Sequence, residues 1–560
     1  MRRSLLPLLI VLSFCAGAQD LGNIKDTKPF GYSGNMSLRL NSYSTTRQQS
    51  VRDPFFWTLS GSPSISLYGI QMPFYFSFSQ KQKDYRQPFN QFGLSPYYKW
   101  LRVHLGYRNI SFSDYTLANH TFLGAGFEAE PGMLRLGFIY GRFLKAVQQP
   151  VDTLSGEIIK PTFTRRGMAA KIGFGTYNNY VDLIMFKGKD DPTSIDAPLQ
   201  LSAVQPAENL VYGIKAHNMF LKIFSFDLDY GFSVYNNDIN AEKVDASEYK
   251  VPKIVSAFID PRASTTFLMA GKASLAVRLK SVQLRLQATR VEPDYQSMGS
   301  YFLNNDYQNF TIAPSWSMFK SKVRVSGSIG IQNNNLFKDK ISTTNRKINS
   351  INVTFMPNTR MTLTGFYTNY RINQDRNVRL TLDTLKLNQF SDNLNLNGMW
   401  NLGTKQKRHM VNAGFNYQAL NDDSNVSETN NNTSSVNPML GYRYQNTILK
   451  MGVMASVNLN KFNTDLNQTN RWGYTLGTNK SFRDEQITVN ATATYFTIDV
   501  DGARQSNSIS FNGRGSLRIK EKHTLDLSVG LVNRKVLNRD NANSRDILAN
   551  FGYNFNFGNH

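Results

Sequence analysis

Cysteine is almost missing from this chain: its 560 residues hold a single one, Cys15. Because that residue sits inside an expected leader, disulfide frameworks, thiolate metal sites and cysteine nucleophiles are excluded from the rest. Long apolar runs are missing as well. Beyond residue 18 no stretch approaches the roughly 18 apolar residues that a helical membrane span requires. Histidine is scarce and scattered. His104, His120, His217, His409, His523 and His560 show no metal-ligand spacing, so no metal site is expected and each reads as an ordinary polar residue. No spacing selects a catalytic constellation, and the chain is not read as an enzyme. The glycines compose no phosphate loop: Gly124, Gly126, Gly137 and Gly141 fall inside alternating stretches, where a close neighbour explains them. No cofactor is expected.

Met1 to Ala18 has Arg2 and Arg3, an apolar run from Leu5 to Phe14, and Ala16-Gly17-Ala18 before Gln19. A positive region, a short apolar core and a small-x-small site are the parts of a cleavable export signal. Cys15 could instead become an acylated first residue, but Phe14 is bulkier than the small residue that precedes such a cysteine. The expected division is residues 1–18 as signal, 19–31 as a short tail and 32–560 as one domain. Basic residues outnumber acidic ones, 63 to 40, for a net charge of +23. In an exported chain that excess meets lipopolysaccharide, phospholipid head groups and other anionic polymers, not nucleic acid.

What the sequence does hold is alternation. Ile547, Ala549, Phe551, Tyr553, Phe555 and Phe557 share one face of a strand, and Leu548, Asn550, Gly552, Asn554 and Asn556 the other. One face is oily and aromatic; the other is mostly amide. Leu525, Leu527, Val529 and Leu531 alternate in the same way with Asp526, Ser528 and Gly530. A face for lipid and a face for water is what a strand of a transmembrane barrel needs. Here the chain resembles bacterial outer-membrane β-barrels, whose final strand ends in an aromatic residue recognised by the barrel-assembly machinery. The resemblance implies that Phe551, Tyr553, Phe555 and Phe557 lie on the strand that closes the barrel, and that this machinery and the lipid of the outer membrane are partners.

Connections alternate between short and long. Twelve short ones, from Gly69-Ile70 to Lys520-Glu521-Lys522, are interleaved with longer ones such as Gln148 to Arg165, Lys189 to Glu208, Asn236 to Arg262, Glu292 to Asp306, Asn333 to Lys347 and Asn373 to Asn388. Short turns on the periplasmic rim and long loops on the outer rim are the topology of transmembrane barrels. A secreted solenoid or tandem sandwiches would lack that rhythm. Twelve hairpins plus a first and a last strand give an all-β, antiparallel up-and-down barrel of about 26 strands, with 24 to 26 accepted. About a dozen residues between Gln19 and Phe30 leave no room for a plug domain, repeated periplasmic domains or a periplasmic jelly roll.

The block Asn90 to Phe143 contains N-Q-F-G-L-S-P-Y-Y-K-W, H-L-G-Y-R-N-I-S-F-S-D-Y-T-L and T-F-L-G-A-G-F. Over about a tenth of the chain it resembles large uncharacterised outer-membrane barrels of the Bacteroidota, a Gram-negative group, which implies a location and no activity. Ser111 to Leu117 fall in an outer loop able to turn into the lumen. A wall of this size encloses more space than side chains fill. Inward loops, a lumen-filling or periplasmic partner protein, or a transiting substrate must occupy it. On the inferred facing, Arg39, Arg102, Arg135, Arg278, Arg285, Arg324, Arg514 and Arg518 point inward as a basic belt able to hold an anionic solute or acidic segment. Inward acids such as Asp182, Asp227, Asp229 and Asp526 are the competing partners that would make the belt structural. Tyr97, Tyr98, Trp100 and Tyr140 are expected in the aromatic girdles, and Asn421 to Asn437 as a surface loop. Two functions are compatible: a transport or export pore with a basic, loop-gated lumen, or a non-conducting scaffold in a multiprotein secretion, assembly or surface-display complex.

Overall fold

The computed structural model describes residues 29–558 apart from 48–49, 51, 81–89, 149–160, 197–203, 246–251, 377–386, 425–431 and 538–542. The expected signal, 1–18, and most of the expected tail lie outside the described residues. Alternating stretches become strands because a period of two puts all apolar side chains on one face. β1 (Phe30–Thr45) is followed by β2 in two segments (Phe55–Gly61 and Ser64–Leu67), β3 (Ile70–Ser79), β4 in two segments (Gln91–Leu94 and Tyr97–Tyr98), β5 (Leu101–Ile110), β6 (His120–Ala129) and β7 (Leu134–Leu144). The wall continues with β8 (Thr164–Thr176), β9 (Asn179–Asp191), β10 (Glu208–Phe220), β11 (Phe224–Asn236), β12 (Thr265–Arg278) and β13 (Val282–Val291). Next come β14 (Tyr307–Met318), β15 (Val323–Asn333), β16 (Ser342–Asn358), β17 (Met361–Arg376), β18 (Asn388–Gly403), β19 (Lys407–Asp422) and β20 (Thr433–Asn446). β21 (Met451–Thr464), β22 (Gln468–Phe482), β23 (Ile487–Val500), β24 (Ala503–Ile519), β25 (His523–Val536) and β26 (Ser544–Gly558) complete it.

Each strand pairs antiparallel with its neighbours in the chain. β26 also pairs with β1, from Ser33 opposite Gly558 to Thr45 opposite Asp546. The wall is therefore a closed barrel of 26 strands. Pro63 and Pro96 mark the breaks in β2 and β4, since proline brings no N–H to a ladder. Phe551 lies opposite Leu40 and Leu527, Tyr553 opposite Leu38 and Leu525, and Phe555 opposite Met36 and His523. The Phe555 ring stacks on His523 at 4.7 Å and meets Phe557 at 5.3 Å, while Tyr553 and His523 share a 2.8 Å hydrogen bond.

The twelve short connections fall on one rim. On the other rim the long connections are joined by two tight ones, 465–467 and 501–502, so the short-long rhythm lapses near the carboxyl end. Thr433 to Asn437, expected in a surface loop, belong to β20. Large apolar side chains such as Phe138, Ile172, Leu275, Ile329, Trp400, Leu476 and Val529 stand exposed on one face of their strands. A continuous apolar outer face is the surface a barrel presents to hydrocarbon. Tyr140 is on it. Tyr97 is not: it lies opposite Arg102, whose guanidinium stands 5.3 Å over its ring, so it belongs to the lumen side and not to a girdle.

Candidate functional site

Two of the three apolar clusters among the described residues lie inside the lumen, on one side of it, and the third lies against the outside of the wall on that side. The buried members of the three apolar clusters fall between Ile110 and Met298. On the inner face of β6 to β10, Phe122, Ile139, Phe143, Ala169, Ile184, Phe186 and Val211 are buried where a water-filled barrel would carry polar groups. Two connections from the long-loop rim cover them: 111–119, between β5 and β6, and 292–306, between β13 and β14. Phe112, Leu117 and Met298 pack into this cluster, each worth about 1.5–3 kcal/mol relative to exposure. Tyr115 and Tyr295 form a second cluster with Leu268, Ala270 and Val291.

The two loops are tied to the wall and to each other by polar contacts. The Asp229 carboxylate accepts a hydrogen bond from the Ser113 hydroxyl at 2.5 Å and one from the Asp114 N–H at 2.9 Å. Lys272 donates to Asp114 at 2.7 Å. The Tyr295 hydroxyl donates to the Tyr115 carbonyl at 2.7 Å, and Ser297 donates to the Thr116 carbonyl. Asn209 receives the Met298 N–H at 3.0 Å and donates to Ser233 at 2.8 Å, whose hydroxyl donates to the Gln296 carbonyl at 2.7 Å. Leu117-Ala118 and Gly299-Ser300 form a short parallel bridge. Burial pushes the Tyr115 and Tyr295 phenols above their ordinary range, and the neutral Tyr295 hydroxyl is the donor to the Tyr115 carbonyl. The result is one lobe fixed inside the barrel. Another long connection behaves differently: Val255 and Ile259, around the one-turn α1 (Lys253–Ser256), are buried against Leu210, which alternates with the lumen-facing Asn209 and Val211, and its cross-strand partner Val234. That connection, expected as a possible inner seal, lies against the outside of the wall over these residues; 149–160 of the Gln148 to Arg165 connection fall outside the described residues.

The eight arginines share the face that carries the lobe's seats, and they are spread over seven strands. Seven lie within six residues of the short-turn end of their strand; Arg39 is mid-strand. Arg135 grips Asp182 with two hydrogen bonds, 2.8 and 3.1 Å, and reaches Glu130 at 3.2 Å. Arg514 is 3.3 Å from Asp526. Arg39, Arg278, Arg285, Arg324 and Arg518 are exposed and have no ion pair among the described residues. Of the other inward acids, Asp227 bonds His217 at 2.5 Å and Asp229 holds the lobe. Sequence reasoning missed Arg346, Arg443, Arg471 and Arg534, which occupy the same face by register. Their strand parity was the available signal.

From β14 to β26 the inner face is of another kind. Ser315, Ser326, Ser328, Ser350, Thr368, Asn393, Asn416, Ser510 and Asn550 line it, and Ala419, on the opposite face, is the sole buried apolar residue of these strands among those described. A wall of 26 strands spaced about 4.8 Å apart and tilted roughly 40° would be about 50 Å across if circular. Two loops of this length cannot fill it.

The closed wall, its apolar outer face and its loop-narrowed polar interior define a large β-barrel of the outer-membrane type. No family model matches the chain, and no curated protein matches it. Among solved structures it is similar to OccAB2 of Acinetobacter baumannii at 10% identity and a TM-score of 0.31, over 68% of this chain and 98% of that one. It is also similar to the FrpB iron transporter of Neisseria meningitidis at 11% identity and a TM-score of 0.38, over 93% and 81%. The P pilus usher translocation pore, PapC, is similar at 11% identity and a TM-score of 0.23, over 94% and 98%.

Proposed function

We propose that this chain is an outer-membrane pore whose passage runs through the open half of the lumen, between the fixed lobe and the polar wall of β14 to β26. One observation carries the reading: the lobe consumes the apolar inner surface on one side and leaves the rest of a wide interior lined mainly by hydroxyls, amides and unpaired arginines, with scattered apolar side chains such as Ile348, Met439 and Phe462 open to it. A surface of that kind suits water and a polar solute. The guanidinium groups favour anions, since fixed positive charge in a low-dielectric mouth raises the local anion concentration. The lobe sets the width, and the remaining connections of the long-loop rim, on the extracellular side, govern access.

The test is single-channel recording of the refolded barrel in planar bilayers under a salt gradient. Large conductance steps with a reversal potential on the anion-selective side are expected. Folded barrel that gives no conductance would overturn the reading and return the lumen to a partner-filled scaffold.

A further inference from the structure

Seven adjacent strands, β17 to β23, each place one side chain in a single row on the inner face. Phe366 lies opposite Asn395, Asn395 opposite Asn416, and Asn416 opposite Asn437. Asn437 is hydrogen-bonded by Asn460, Asn460 lies opposite Arg471, and the Arg471 guanidinium stands 4.0 Å over the Phe496 ring. Asn416 also donates to Asn393 at 3.2 Å, and Asn437 to Asn416 at 3.2 Å. A cavity of about 420 Å³ lies along the row from Asn395 to Phe496, with Met439 also in its lining. The row runs aromatic, four amides, arginine, aromatic.

We propose that it is a binding track for an oligosaccharide; the proposal rests on the pore reading only in taking the lumen as the route by which the sugar arrives. Three features select that chemistry. An amide has two donors and an acceptor with two lone pairs, and bonding along the row uses only part of that capacity. What remains faces the lumen as donors and acceptors mixed, the pattern that sugar hydroxyls match. An anion would leave the acceptors unmet, and an apolar solute would leave all of them unmet. Next, Phe366, 39% exposed, puts an aromatic ring on the inner face, where the C–H face of a pyranose ring can stack, while Phe496 at the other end of the row seats the Arg471 guanidinium. Finally, six steps between neighbouring strands span about 29 Å at ~4.8 Å each. That length fits a chain of several sugars, not a single one. Arg471, held flat on Phe496, can pair with an acidic substituent by charge-assisted bonds.

Purified barrel in detergent is titrated with hexasaccharides of α-1,4-glucose, β-1,4-glucose and α-1,4-galacturonate. Binding is read by saturation transfer from protein to sugar protons and by calorimetry. Transfer to at least one of the three is expected, weakened by about fivefold or more in N416A/N437A and in F496L. F496L keeps the apolar bulk and removes the ring on which Arg471 rests, so its loss of binding reports this end of the row and not unfolding. A change on the inner face of β14 and β15, S315A/S326A, should leave binding intact. No transfer to any of the three sugars, or transfer that survives N416A/N437A and F496L, overturns the proposal. Conductance recorded on the same preparations separates the two readings: binding without conductance removes the pore and keeps the track, and conductance without binding does the reverse.

Discussion

A β-carbon on Gly231 would come 2.4 Å from the Tyr295 hydroxyl and 2.9 Å from the Tyr115 β-carbon. One on Gly213 would come 2.4 Å from the Thr116 methyl. These glycines are the seats of the lobe. In G231L the added side chain and the two tyrosines cannot share the space, so the lobe lifts off while the ladder of β11 is untouched. Single-channel conductance should rise, and amide exchange at 293–300 should quicken, with heat-modifiable mobility showing that the barrel is still closed. Unchanged conductance and exchange would show that the lobe is not held there. The sequence shows why such glycines are needed, a close neighbour, but cannot say which one, because the neighbour is a loop more than 60 residues distant. A second residue-scale tie is electrostatic. Asp306, at the end of the 292–306 connection, is held by Lys340 and by the Leu336 N–H at 2.9 Å. Burial raises its carboxyl pKa, but the Lys340 ammonium and the Leu336 and Asn335 N–H groups outweigh that and hold it below its ordinary value. The Asp306 hydrogen bond in turn raises Lys340. The carboxylate's contribution is present above its unfolded pKa and lost as pH falls through the lowered folded value; the ammonium's is present below its unfolded pKa and lost as pH rises through the raised one. Protection of the amides at 335–340, corrected for intrinsic rates, should therefore stay level through neutral pH and fall only in acid or strong base. In K340M it should already be low at neutral pH.

Among elements, the two inward loops carry apolar side chains, as does the 237–264 connection, which buries Val255 and Ile259 on the outside of the wall. Ser111 to Asn119 holds Phe112, Tyr115 and Leu117, and 292–306 holds Tyr295, Met298, Tyr301 and Leu303. Apolar side chains in a loop need a surface to bury, and the inner face of β6 to β10 supplies it with Phe122, Ile139, Ile184, Phe186 and Val211. Both halves of this match were legible as breaks in pattern: apolar residues at positions whose parity calls for polar ones, and oily residues in loops. What could not be read is which loop meets which wall, since pairing across the lumen has no period in the chain. The strands themselves were legible because each carries its own period, and the twelve short turns because Gly, Pro, Asn and Lys break it. The last strand makes the sharpest test at this scale. β26 is bonded on both edges, to β25 and to β1. Truncation before Ser544 would leave two open edges in hydrocarbon, where each unpaired backbone group costs several kcal/mol. The truncated chain should yield no heat-modifiable band and remain protease-sensitive, whereas F555A, which loses two ring contacts at one end, should still close.

For the whole molecule the two halves of the lumen divide the labour, and the arginines divide with them. Arg135 belongs to the lobe side, where its guanidinium is bound twice to an Asp182 that is 2% exposed. Replacing it by glutamine strands a buried carboxylate, a loss of about 3–5 kcal/mol. That loss should appear as a lower temperature for heat modification. Its effect on ion preference should be slight, because Arg135 and Asp182 are both largely buried on the lobe side, away from the proposed passage. Arg285, Arg324 and Arg518 are exposed and unpaired among the described residues, so their replacement strands nothing and stability should hold. What they contribute is field in the open passage. The triple variant R285Q/R324Q/R518Q should then move the anion-to-cation permeability ratio toward one, most clearly at low salt, where screening is weak. The belt read from the sequence as eight equivalent arginines would by this contrast divide into structural and functional members. If R135Q alone shifted selectivity as far as the triple variant, the passage would run along the lobe and not along the open wall.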